Sequence, residues 1–135
     1  MRLDTEMAFA ARLADAAGAA IRPYFRAEFG LESKADATPV TLADRAAETA
    51  IRALLEAERP GDGIIGEEFG SVRDDASRQW VIDPIDGTTN FMHAMPHFAI
   101  TVGLQRTAPD GSSEIVAGVT HNPVMNELFW AAKGK

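Results

Sequence analysis

The sequence predicts an α+β domain in which two long helices pack on a mainly antiparallel sheet. Apolar side chains recur at helical spacing over residues 4–29 and again over residues 41–59. Short apolar and β-branched runs, separated by turn dipeptides, follow from residue 62 onward. Because the helices precede the strands instead of alternating with them, layers of helix against sheet are favoured.

The first predicted helix covers residues 4–29. We expect Asp4 or Thr5 to be its N-cap and Gly30 to end it. Pro23 lies inside the pattern, so a kink or an early end is expected nearby. The apolar stripe indicates core packing and consists of Leu3, Met7, Ala10, Leu13 or Ala14, Ala17, Ile21 and Tyr24.

The second predicted helix follows a polar connection over residues 31–40 and runs from Thr41 to about Arg59. Thr41 and Asp44 have capping-box spacing, with aspartate in the place of the usual glutamate. A first-turn carboxylate also suits the helix dipole, so capping alone would explain Asp44. The side chains expected to be buried are Ala47, Ala50, Ile51, Leu54 and Leu55.

The predicted strands follow these helices. One lies within residues 62–70, and residues 71–79 are predicted to form a polar loop. Pro84 should end the next strand at Asp83, because proline cannot continue the ladder. The remaining strands are expected at Trp80-Val81-Ile82, 98–105, 114–121 and 127–131, with turns at 109–111 and Asn122-Pro123.

The most specific pattern lies at residues 80–91. Asp83 and Asp86 flank a proline turn, and Gly87-Thr88-Thr89 follow. Two close carboxylates repel each other by several kcal/mol at an effective dielectric constant of about 20, so a proton or a cation must lie between them. Oxygen ligands favour a hard cation such as Mg²⁺. With Asp86 as N-cap, a following helix would turn free N–H groups toward a phosphate.

A second acidic pattern, Glu67-Glu68, follows the apolar pair Ile64-Ile65. Neighbouring strands that end at one edge would bring Glu67 beside Asp83. Taken alone, each pattern has a simpler interpretation: Asx hydrogen bonds in a turn for the aspartates, and a solvated loop for the glutamates.

Composition excludes several classes of protein. At 46% apolar and 24% charged residues, the chain has the composition of an ordinary soluble domain. Cysteine is absent, which excludes disulfides and thiolate metal sites. No apolar stretch approaches the roughly 18 residues of a membrane span. A net charge of −7 argues against nucleic acid as a partner, and the cytoplasm is the expected location.

Together, the two acidic patterns resemble the inositol monophosphatase family. The resemblance covers essentially the whole chain and implies a magnesium-dependent, lithium-sensitive phosphomonoesterase. The matching segments are Pro39-Val40-Thr41-Leu42-Ala43-Asp44, Gly66-Glu67-Glu68, residues 80–91, Pro96-His97-Phe98-Ala99-Ile100 and Val102-Gly103-Leu104.

Members of that family are longer, and nothing here matches their later Trp-Asp motif. Residues 1–135 are therefore expected to be the N-terminal domain of such an enzyme, with the C-terminal domain absent from this chain. One face or edge of the sheet would then be exposed, which favours dimerisation or aggregation.

The resemblance also implies a metal site. Glu67, Asp83 and the carbonyl of Ile85 would hold one Mg²⁺. Asp83 would bridge to a second Mg²⁺, which Asp86 also binds. Glu68 alternates away from Glu67 on an extended strand, so its role is left open.

Catalytic and substrate roles are implied in the same way. Thr88 would orient the attacking water, together with Asp44. The N–H groups of Gly87, Thr88 and Thr89 would hold the phosphate. The implied substrate-binding set is Glu67, Asp86, Gly87, Thr88 and Thr89.

The substrate and partners follow from this assignment. The ending Thr89-Asn90-Phe91 is closer to inositol monophosphatases than to histidinol-phosphatase relatives, so inositol-1-phosphate is expected, with histidinol phosphate as the alternative. The partners would be this small phosphorylated metabolite and a second copy of the chain. A different class stays open: an incomplete metal-binding or regulatory fragment, because some bacterial members act with the transcription machinery.

Overall fold

The computed structural model describes residues 2–24, 39–86 and 99–134, which form two helices and one sheet. Helix α1 spans Leu3–Ile21 and leads into a 3-10 turn at Arg22–Tyr24, and helix α2 spans Pro39–Glu58. The strands are β1 Gly63–Gly66, β2 Gly70–Val72, β3 Arg78–Asp86, β4 Ala99–Thr107, β5 Ser113–Asn122 and β6 Glu127–Ala132.

The six strands of the described ranges form one sheet in the order β2-β1-β3-β4-β5-β6. Only β1 and β3 pair in parallel, and every other pair of neighbours is antiparallel. Both helices pack against this sheet, α1 on β4 and β5 and α2 on β3. The predicted α+β class, with two helices on a mainly antiparallel sheet, is confirmed.

The core lies between the helices and the sheet. Trp80 is fully buried there; its ring meets Phe9 edge to face at 5.4 Å, and its indole N–H donates to Asp62 Oδ2 at 2.9 Å. The largest fully buried aliphatic side chains are Leu13, Ile21, Ile51, Leu55, Ile64, Ile100, Leu104, Val102 and Val119.

Helix α1 ends early, as Pro23 predicted. It stops at Ile21, and Pro23 lies in the 3-10 turn, because its ring cannot follow the α-helical path of the preceding turn. The predicted N-caps are wrong. Arg2 occupies the N-cap position without a side-chain cap, so Asp4 and Thr5 lie inside the helix. Gly30 lies outside the described residues.

Helix α2 begins at Pro39, two residues before the predicted start. Proline suits the first turn, where its missing N–H has no helical partner to lose. Thr41 therefore lies within the helix, and the predicted capping box is wrong. Of the expected core positions, three are fully buried and two partly buried: Ala47, Ile51 and Leu55, then Ala50 and Leu54.

The sheet corrects two further predictions. The expected polar loop over 71–79 contains most of β2 and the start of β3. Strand β3 also continues past Pro84 to Asp86 instead of ending at Asp83. Asp83 pairs with Thr101 and Asp86 with Ala99, so a bulge adds one residue to β3. Such an irregularity accommodates proline, which has no N–H for the ladder.

The remaining strands confirm the prediction within about two residues, a normal uncertainty at element ends. Exposed apolar side chains cluster near the β6 edge, where Ile115, Phe129 and Trp130 are 55%, 64% and 58% exposed. Neither described helix is long and apolar enough to cross a membrane.

Replacing Leu13 with alanine should lower the free energy of unfolding by about 2–5 kcal/mol, because Leu13 is fully buried and a cavity would remain. The matched Leu128→Ala change, at a side chain that is 38% exposed, should cost less than about 1 kcal/mol. Urea unfolding followed by circular dichroism measures both. Equal losses would contradict the position of Leu13 in the core.

Candidate functional site

The parallel pairing of β1 with β3 brings two acidic segments to one edge of the sheet. Gly66, the last residue of β1, lies opposite Ile82, so Glu67 and Asp83 each follow one residue of this pair. Neighbouring strands are about 4.8 Å apart, which brings the two acidic segments to the same place. The prediction that the two acidic patterns meet at one sheet edge is confirmed.

Asp44 on α2 lies within electrostatic reach of the same edge. Burial is the main cause that raises the pKa of Asp44 from 3.8 to about 7. Negative charge raises it further, in decreasing order from Glu68, Glu67, Asp83 and Glu48. The structure therefore places Asp44 among the carboxylates of the two strand ends. Its position near the helix start and its place in this cluster are compatible.

A buried carboxylate holds the turn that carries Glu67. Glu48 is fully buried on α2; its Oε1 accepts the backbone N–H of Glu68, and its Oε2 that of Phe69, each at 3.0 Å. A β-carbon on Gly66 would lie 2.4 Å from Glu48 Oε2, so only glycine leaves room for this carboxylate.

Two arginines supply positive charge next to the cluster. Arg52 Nε donates to Glu48 Oε2 at 3.0 Å, and the same guanidinium donates to the carbonyl of Gly70. Arg45 lies 3.9 Å from Glu68 Oε1. Among the described residues, Glu67 pairs with no cationic side chain. The arginines pair with Glu48 and Glu68, but these two carboxylates still contribute to the raised pKa of Asp44.

The rest of the predicted site falls outside what the structure describes. The backbones of Ile85 and Asp86 belong to β3, but their side chains are not described. Gly87, Thr88 and Thr89 lie outside the described residues. Their roles in metal binding, water orientation and phosphate binding stay predictions.

The carboxylate oxygens of the described residues are suitable ligands for a hard cation, although these residues do not form a complete metal site by themselves. Within these ranges, no three histidine, cysteine, aspartate or glutamate side chains converge closely enough to hold a metal ion. The donors at the edge, Glu67 and Asp83, are carboxylates, as Mg²⁺ prefers. Burial and, after it, four neighbouring carboxylates raise the pKa of Asp44, and a divalent cation would offset the charge of these carboxylates.

The sequence patterns described above did not predict a role for Glu48 or Arg52. A signal was present, because Asp44, Glu48 and Arg52 recur every four residues and share one helix face. Glu48 is also next to the buried stripe position Ala47. A charged residue beside the apolar stripe of a helix indicates a buried ion pair, but the sequence does not show that the partners of Glu48 lie on the turn after β1.

Comparison with known proteins gives a consistent result. The family model described as the inositol monophosphatase family matches residues 2–135. The chain is 51% identical over 109 residues to an inositol-1-monophosphatase of Caulobacter vibrioides, covering 80% of this chain and 41% of that protein. It is 41% identical over 131 residues to a histidinol-phosphatase of Mycobacterium tuberculosis, covering 96% of this chain and 48% of that protein.

A solved structure agrees with the fold. An inositol monophosphatase from Zymomonas mobilis superposes with a TM-score of 0.84 at 43% identity, covering 99% of this chain and 49% of that one. The chain thus spans about half the length of these relatives.

Gly66→Ala should lower the free energy of unfolding by about 1–3 kcal/mol, since its β-carbon would press on the Glu48 carboxylate. Gly61→Ala is the matched control, because a β-carbon there meets nothing within 4 Å. It should change stability by no more than about 0.5 kcal/mol. Urea unfolding measures both changes. If Gly66→Ala left the free energy of unfolding unchanged, the close approach of Gly66 to the Glu48 carboxylate would be contradicted.

The raised pKa of Asp44 predicts a pH-dependent loss of stability in metal-free buffer. The folded protein holds this proton more tightly than the unfolded chain, so its stabilising effect is complete below about pH 4 and is lost as the pH rises through about 7. The Tm of Asp44→Asn minus the Tm of the wild type should therefore increase between about pH 4 and pH 7 and stay constant at higher pH.

Thermal melts between pH 4 and 8 measure this difference. The control is Asp75→Asn, at an exposed position, and its Tm should depend on pH as the Tm of the wild type does. A difference between Asp44→Asn and wild type that does not vary with pH would refute the electrostatic coupling.

Proposed function

Because the chain belongs to the inositol monophosphatase family, we propose that it supplies the metal-binding half of an enzyme that hydrolyses a small phosphate monoester. The observation that carries this proposal is the meeting of Glu67 and Asp83 at one sheet edge, with Asp44 facing them from α2. Since the chain spans about half of its relatives, the activity concerns the protein in which this half takes part.

The proposed magnesium site uses ligands from both strand ends. Glu67, Asp83 and the carbonyl of Ile85 would hold one ion, and Asp83 and Asp86 a second. When bound, such ions lower the pKa of a coordinated water and stabilise the charge that develops on the phosphoryl oxygens. The support from the structure is that Glu67 and Asp83 follow paired positions of β1 and β3, and that burial, followed by neighbouring carboxylates, raises the pKa of Asp44 to about 7.

The remaining roles belong to side chains and backbone close to this edge. Thr88 and Asp44 would orient the attacking water by hydrogen bonds. The N–H groups of Gly87, Thr88 and Thr89 would bind the phosphate, as N–H groups at a helix start do. These roles rest on the family resemblance, and the position of Asp44 beside the carboxylates supports its part.

Inositol-1-phosphate is the proposed substrate. The inositol-1-monophosphatase of Caulobacter vibrioides is more similar in sequence, but the histidinol-phosphatase of Mycobacterium tuberculosis matches over more of the chain. Histidinol phosphate is therefore the second candidate. Inhibition by lithium, a homodimer and a cytoplasmic location belong to the same proposal and rest on the resemblance and composition.

The test is phosphate release from inositol-1-phosphate and from histidinol phosphate, with Mg²⁺ and with or without Li⁺. The mass of the purified protein and of its assembly is measured beside it. We expect Mg²⁺-dependent, Li⁺-sensitive release with a preference for inositol-1-phosphate. A preference for histidinol phosphate would reverse the substrate assignment, and Mg²⁺-independent release would refute the metal mechanism.

Asp83→Asn should reduce kcat/KM by more than about 100-fold, since the loss of groups that only support metal ligands already costs 10- to 100-fold. The fold should persist, because aspartate and asparagine have nearly the same shape. Phosphate release and a thermal melt measure the two effects. Asp74→Asn, at an exposed turn position, is the control and should be fully active. Near-normal turnover by Asp83→Asn would contradict the assignment.

A further inference from the structure

We propose that Glu48 is a positioning residue that sets the place of Glu67 relative to Asp44 and Asp83. This inference rests on the proposed magnesium site and adds a residue that does not touch the metal. It starts from an unusual feature, a glutamate with no exposed surface on a helix that faces the sheet. Such a group is costly to bury unless its charge and its oxygens are satisfied.

Both oxygens of Glu48 are used on the turn after β1. Oε1 accepts the N–H of Glu68 and Oε2 that of Phe69, each at 3.0 Å. Hydrogen bonds to a charged acceptor are about twice as strong as neutral ones, so this pair fixes the turn directly after Glu67. The backbone of Glu67 is then held between β1 on one side and the Glu48 carboxylate on the other.

Gly66 and Arg52 complete the arrangement. At the end of β1, Gly66 leaves the space that the carboxylate occupies, because a β-carbon there would lie 2.4 Å from Oε2. Arg52 pairs with Glu48 at 3.0 Å, donates to the carbonyl of Gly70 and lies 5.9 Å from the centre of the Phe69 ring. The guanidinium of Arg52 therefore compensates the charge of Glu48 and, through the Gly70 carbonyl, also binds the other end of the same turn.

The consequence for the site is geometric. Asp44 and Glu48 lie one turn apart on α2, so the Glu48 hydrogen bonds tie the helix that carries Asp44 to the turn that carries Glu67. Mg²⁺ requires near-ideal octahedral geometry at about 2.0–2.1 Å and tolerates little displacement of a ligand. A turn released from Glu48 would leave Glu67 on a less ordered backbone and weaken the site.

The test compares Glu48→Gln and Glu48→Asp with the wild type. Glutamine keeps the shape but turns an NH₂ group toward a backbone N–H. Aspartate keeps the charge but withdraws the carboxylate from the turn. Mg²⁺ affinity is measured by titration calorimetry, and hydrogen exchange of the Glu68 and Phe69 amides is measured without metal.

Both variants should bind Mg²⁺ at least about 10-fold more weakly, the range seen when groups that support metal ligands are lost. The Glu68 and Phe69 amides should exchange faster in both. Glu6→Gln is the matched control: Glu6 is also a buried carboxylate, but it pairs with Arg59 and Arg78 away from the turn. It should lower stability and leave Mg²⁺ affinity within about twofold of the wild type.

Wild-type Mg²⁺ affinity in Glu48→Asp would overturn the inference, because charge alone would then explain any effect of Glu48→Gln. An equal loss of Mg²⁺ affinity in Glu6→Gln would overturn the inference as well, since general destabilisation of the fold would then explain the effect of the Glu48 variants. A wild-type protein that binds no Mg²⁺ would refute the proposed function and this inference together. If the Glu48 variants do not fold, Gly66→Ala tests the same contact from the other side and should weaken Mg²⁺ binding likewise.

Discussion

The parallel pairing of β1 with β3 is the contact on which the site depends. It aligns Gly66 with Ile82, so that two acidic segments far apart in sequence leave the sheet at one edge. Within the described ranges, all other neighbouring strands are antiparallel, and an antiparallel pairing here would have sent Glu67 and Asp83 to opposite ends. Helix α2 then packs on β3 and adds Asp44 to this edge.

The carboxyl groups beneath the surface of this fold have two kinds of electrostatic environment. Glu6 and Glu48 are enclosed, and each has arginine partners, Arg59 and Arg78 for the first and Arg52 for the second. The Glu6 pairs join α1 to the end of α2 and to β3, whereas Glu48 and Arg52 lie one turn apart on α2. Asp44 is half-buried, and its pKa rises to about 7 because burial and, after it, the neighbouring carboxylates favour the protonated form. A carboxyl group whose pKa is shifted by burial and by like charges is typical of a functional site.

Three element boundaries differ from those that local sequence rules predicted. Proline at position 84 predicted the end of a strand, but a bulge opposite β4 carries β3 on to Asp86. Capping-box spacing predicted a helix start at Thr41, yet α2 begins at Pro39. The segment 71–79 was too polar to indicate a strand, and β2 forms because it pairs with β1. Pairing with a neighbouring strand forms β2 and extends β3, whereas α2 starts early because proline suits the first turn of a helix.

By itself, the sequence determined the class of fold, the apolar helix stripes and the acidic residues at the strand ends, because periodicity and residue chemistry are local properties. It also determined the family, through motifs that are specific without any structure. Only the tertiary structure decided that Glu67 and Asp83 are neighbours and that Asp44 shares their charge. It alone revealed Glu48, whose partners Glu68 and Phe69 are 20 and 21 residues away in the chain. The physical reason is that hydrogen bonds and Coulomb interactions depend on distance in space, and folding sets that distance.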